Sequence, residues 1–86
     1  MEREVKFQLD SICSLAVKLI ENGTGGGDHS HGGFVDITIR NVFGAAYLTQ
    51  NGEDVKEINF GVKGDDERRL LIRALSQIIK ELESNE

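Results

Sequence analysis

The chain is 86 residues long, 38% hydrophobic and 29% charged, with a formal net charge of −5 and a pI near 5.0. Those values exclude a disordered chain and describe one domain, residues 1–86, near the size at which a single core barely suffices, so association with copies of itself is expected. The acidic balance argues against a nucleic acid polymer or an anionic membrane as partner, because both ask for a basic field.

Met1-Glu2-Arg3-Glu4 lacks the basic start and apolar middle of a signal peptide, and no apolar run approaches a membrane span, so neither export by that route nor a membrane partner is expected. Cys13 stands alone beside Ile12, Leu15 and Ala16, which excludes an intrachain disulfide and reads as a buried, unreactive thiol. A reducing, cytoplasmic setting fits best.

Val5, Phe7 and Leu9 alternate as in a strand, and Asp10 then caps a helix carrying Ile12, Cys13, Ala16, Leu19 and Ile20 to an end at Asn22-Gly23. A single helix from about 3 to 22 competes, because Val5, Leu9, Ile12, Ala16 and Leu19 also form a helical stripe. The strand-plus-helix reading is preferred, and Gly23 is then the left-handed residue closing the helix. Residues 23–33 hold six of the ten glycines and both histidines in a stretch with almost no apolar side chains, which is a loop and cannot be core.

A β meander follows. Val35, Ile37 and Ile39 alternate with Asp36, Thr38 and Arg40, the period of a strand with one buried face. Small Gly44, Ala45 and Ala46 suit a bulge or a close backbone approach. A second strand over 45–50 meets a third over 55–62 through Asn51-Gly52, a dipeptide made for a type I′ hairpin. The last element is an amphipathic helix over 65–84, started by Asp65 or Asp66 and carrying Leu70, Leu71, Ala74, Leu75, Ile78, Ile79 and Leu82 at spacings of three and four. The expected fold is therefore α+β, a two-layer sandwich in β-α-β-β-β-α order, with an antiparallel meander carrying two helices on one face. Its uncovered sheet face can take a second subunit.

The glycines follow a helix and precede a strand in this reading, the reverse of a Rossmann fingerprint, and no Gly-Lys-Ser/Thr closes a Walker loop. Gly25, Gly26, Gly27, Gly32 and Gly33 exceed what a plain connection needs, which points to close approach of a ligand or partner; a featureless linker is the bland alternative. Asp28, His29 and His31 are suitable ligands for zinc, nickel or copper, yet three donors do not make a full shell, so no metal or other cofactor is assigned and this set stays an alternative. Ser30 between the histidines has no strained elbow or orienting acid, so enzymatic activity is not expected. Donors for an anion are the glycine amides, Arg40, Lys63, Arg68 and Arg69, which strand ends and a helix start can bring to one rim. Pairing of those cations with neighbouring acids is the simpler use of each.

With the loop Gly27-Asp28-His29-Ser30-His31-Gly32-Gly33 as its distinctive motif, the layout resembles small accessory proteins encoded by bacterial viruses. The resemblance implies binding of a host factor or sequestration of a host signal. The expectation is a non-catalytic, homo-oligomeric protein that encloses a small anionic or nucleotide-like ligand with residues 25–33, Arg40 and the region 63–69. A protein–protein inhibitor or adaptor of a host factor is the alternative, followed by metal binding through Asp28, His29 and His31.

Overall fold

The computed structural model describes residues 2–27 and 31–86. Four strands form one antiparallel sheet: β1 (Arg3–Asp10), β2 (Ser14–Glu21), β3 (Phe34–Phe43) and β6 (Glu57–Lys63), in the order β1-β2-β3-β6. Between β3 and β6, β4 (Thr49–Gln50) and β5 (Glu53–Asp54) make a small separate hairpin, and helix α1 (Asp65–Ser84) ends the chain.

The α+β class and the antiparallel sheet agree with expectation, but there is one helix among the described residues, not two. The segment expected to be the first helix is strand β2, joined to β1 by the three-residue turn Ser11-Ile12-Cys13. The reason is cross-strand complementarity. Leu15, Val17 and Leu19 also alternate, and as a strand they stand beside Leu9, Phe7 and Val5 on one side and Ile39 and Ile37 on the other. A helix would have left those partners uncovered. Gly23 does take a positive φ of 77°, but it follows a strand and closes no helix. Cys13, in the turn, is half-buried and not enclosed.

The meander is also simpler than expected. The third strand, β6, pairs with β3 directly, while residues 45–50 contribute only the short β4. Asn51 and Gly52 have φ of 53° and 81°, the double positive that the expected I′ turn requires. Gly44 bridges to Ser14, and Asn41 Oδ1 accepts the amides of Ala45 and Ala46 at 2.9 and 3.2 Å, so the small residues turn the chain off the sheet end.

Register sorts the sheet into two unlike faces. One face gathers the alternating apolar residues of all four strands, from Phe7 and Leu9 through Val17 and Leu19 to Ile37 and Phe60. The other carries Lys6, Lys18, Asp36, Arg40 and Asn59. Helix α1 reaches only a corner of the apolar face, where Leu71, Ile72 and Leu75 approach Leu19, Val35 and Ile37 around a groove of 180 Å³. Val35 is the one apolar side chain among the described residues that is buried, and none is fully enclosed. No helix in the described residues is long and apolar enough to cross a membrane.

Candidate functional site

Two carboxylates hold the glycine-rich loop, and both are more than nine-tenths buried. Glu21 ends β2 and receives three donors: the Arg3 guanidinium, Arg68 Nη1 at 2.7 Å and the Gly23 amide at 2.9 Å. The Arg3 contact first, then Arg68 and Gly23, pull its carboxyl from an ordinary 4.5 down to about 2.

Asp65 or Asp66 was expected to cap α1, but both lie inside the helix, which begins at Asp65. Gly64 occupies the capping position, and the cap makes no side-chain hydrogen bond. Instead the Asp65 carboxylate turns outward and accepts the amides of Gly25 at 2.8 Å, Gly26 at 2.7 Å and Gly33 at 3.4 Å. These bonds, Gly25 foremost, hold its carboxyl below the usual range against the opposing effect of burial. The Asp65 amide donates back to the Gly27 carbonyl at 2.7 Å, and Gly64 donates to the Gly33 carbonyl at 2.6 Å.

This accounts for much of the glycine surplus. A Cβ on Gly33 would fall on the Gly23 carbonyl oxygen, and one on Gly25 would sit 2.6 Å from the Gly32 carbonyl carbon. The two arms of the loop pass at backbone contact, which only glycine permits. The loop has the construction of an anion nest, convergent amides around a negative group, and the group it holds is the protein's own Asp65.

The expected site residues therefore divide. Gly25, Gly26, Gly27, Gly32 and Gly33 are assembled with Asp65, and Arg69 lies close enough to favour its charged form. His31 is exposed beside Gly27. Asp28, His29 and Ser30, and with them the metal alternative, lie outside the described residues. Arg68 is committed to Glu21, so its cation is internally paired. Lys63 stands beside Phe34 at the end of β6, on the sheet face opposite α1. Arg40 is not brought to the loop: it lies five residues along β3 from Val35, about 17 Å away at the usual strand rise.

Arg40 belongs to a different constellation, on the polar face. There Lys6 and Lys18 stand directly opposite each other in the β1–β2 register, and one pair further along Gln8, Ala16 and Arg40 form the next row. Ala16 leaves a low floor between the long side chains, and the result is a groove of 380 Å³ that Thr38 and Glu57 complete. Lys6 reaches Glu4 at 3.4 Å, while no ion pair involves Lys18 or Arg40 among the described residues. Lys6 and Lys18 escaped sequence reasoning because the second of them was placed on a helix. With β2 recognised as a strand, its outward positions would have pointed to them.

No protein-family model, curated protein or solved structure matches the chain.

Proposed function

We propose that the protein is a non-catalytic binding protein that sequesters a small anionic, nucleotide-like ligand, and that the ligand lies in the polar-face groove of Lys6, Lys18 and Arg40 and not in the glycine loop. The observation carrying this reading is the direct Lys6–Lys18 pairing. Like charges opposite each other on a sheet are destabilising, and they occur here on a chain of net charge −5 where acidic partners are plentiful. An anion between the two ammonium groups removes that cost and gains charge-assisted hydrogen bonds. Gln8 and Thr38 add neutral hydrogen-bonding groups at the rim, and Ala16 gives a flat ligand room to approach the sheet. The glycine loop supports the site less well, because the amides that would greet an anion are occupied by Asp65.

Calorimetric titration with pyrophosphate, mononucleotides and cyclic dinucleotides tests the proposal. Binding is expected for at least one member, with salt-sensitive affinity, and at least a tenfold loss in Lys18→Glu. Absence of heat with every member, or undiminished binding by Lys18→Glu, overturns it.

A further inference from the structure

The molecule has two apolar surfaces with nothing on them, and they match. Beyond Leu71 every residue of α1 is exposed, including Ile78 at 54%, Ile79 at 55% and Leu82 at 67%. On the sheet face that α1 only touches at a corner, Phe7 and Leu9 are exposed at 46% and 61%. A compact monomer of 9.5 kDa shows about 5,000 Å² to solvent, whereas this chain shows 6686 Å². The excess, about 1,700 Å², is roughly twice what each partner gives to a standard interface and suits an obligate one. The radius of gyration agrees: 14.6 Å, against about 12 Å for a compact domain of this length.

We infer that the chain is a two-fold symmetric dimer in which the distal half of each helix lies on the partner's sheet, Ile78, Ile79 and Leu82 covering the partner subunit's Phe7 and Leu9. The occupant is a second copy because each chain carries both halves of the same contact. One two-fold operation satisfies both, the isologous arrangement that closed dimers use. Dimensions fit as well. The helix beyond Leu75 runs about 13 Å at 1.5 Å per residue, and β1 from Val5 to Leu9 spans about 13 Å. A helix-to-helix contact alone would leave Phe7 and Leu9 in water. The polar face and its groove stay outside the contact, so the dimer presents two such grooves. This inference does not rest on the anion reading, and either can fail without the other.

Native mass spectrometry at micromolar concentration is expected to give twice the 9.5 kDa chain mass. In a mixture of isotope-labelled and unlabelled wild-type chains, intermolecular NOEs are expected from the Ile78, Ile79 and Leu82 methyls to Phe7 and Leu9. Leu82→Glu with Ile79→Glu is expected to shift the mass to that of a monomer, or to unfold the chain. The wild-type NOEs decide the question whatever that variant does. A folded monomer, a dimer whose intermolecular NOEs run only between helices, or a different protein seated on the monomeric chain's apolar face overturns the inference.

Discussion

Arg68 and Glu21 stand 47 residues apart in the chain and 2.7 Å apart in space, and their pairing ties the start of α1 to the end of β2. Arg3 binds the same carboxylate from β1, so one buried charge gathers three elements. Removing the acid leaves two cations facing each other, whereas removing either cation leaves the acid partly paired. Breaking such a network from its centre is the most damaging cut.

The first prediction concerns pH. Glu21 ionises at about 2 in the folded protein and at an ordinary 4.5 when unfolded, so between those values the unfolded chain binds the proton more readily. Stability from this group is therefore fully present above 4.5 and is lost as the pH falls towards about 2. Asp65 acts in the same sense, lowered from 3.8. Urea midpoints measured across this range are expected to fall steeply with acid in the wild type. In Glu21→Gln they are expected to be lower at neutral pH and to show a shallower acid slope. An unchanged slope would remove Glu21 from its assigned role.

Asp65→Asn tests the loop. The amide side chain keeps one acceptor oxygen but loses the charge that three backbone amides share. Hydrogen exchange at Gly25, Gly26 and Gly33 is expected to accelerate by about tenfold or more, with exchange in β2 and β3 nearly unchanged, because the loop opens as a local unit. Equal acceleration throughout would mean that Asp65 supports the whole fold.

Two glycine substitutions separate crowding from backbone conformation. Gly33→Ala drives a methyl into the Gly23 carbonyl and is expected to cost upwards of about 1–3 kcal/mol, the range for overpacking. Gly52→Ala meets nothing within 4 Å but must hold φ at 81°, and about 1–2 kcal/mol is expected. Thermal or urea unfolding reports both. A smaller loss in Gly33→Ala than in Gly52→Ala would contradict the close passage of the loop arms.

Lys18→Glu is expected to separate function from stability. It replaces a facing pair of ammonium groups by an opposite-charge pair with Lys6, so unfolding free energy is expected to rise by about 0.2–1 kcal/mol. The same change places a carboxylate in the groove and weakens any anion held there. Lower stability in this variant would show that Lys18 serves the fold and not a ligand.

What the sequence revealed depended on how local the cause was. Helix α1 was legible to its end residues because its apolar spacing and acidic start lie within one segment. Asn51-Gly52 was legible for the same reason, since a dipeptide determines its own turn. Residues 14–21 were not, because their apolar positions satisfy both periods and the deciding partners, Val5, Phe7 and Ile37, lie in other strands. The turn before them, Ser11-Ile12-Cys13, carries no glycine or proline, and Ile12 at its tip is 93% exposed against all expectation for isoleucine. The site followed the same division. The oddity of residues 23–33 is plain in the sequence, but its reason sits at Asp65, and the facing of Lys6 and Lys18 depends on the pairing of β1 with β2.

The bond from Asp65 to Gly25 also makes the loop dependent on the sheet. The hairpin of β1 and β2 closes over three residues, and such pairs form within microseconds. The loop can be locked only when the start of α1 has crossed 40 residues of chain to meet it, a closure that becomes favourable once the sheet has already brought β2, β3 and β6 together. Because Asp65 lies only two residues past the end of β6, the pairing of β6 with β3 carries its carboxylate to the glycines, and the shape of the loop is tied to the closing of the sheet.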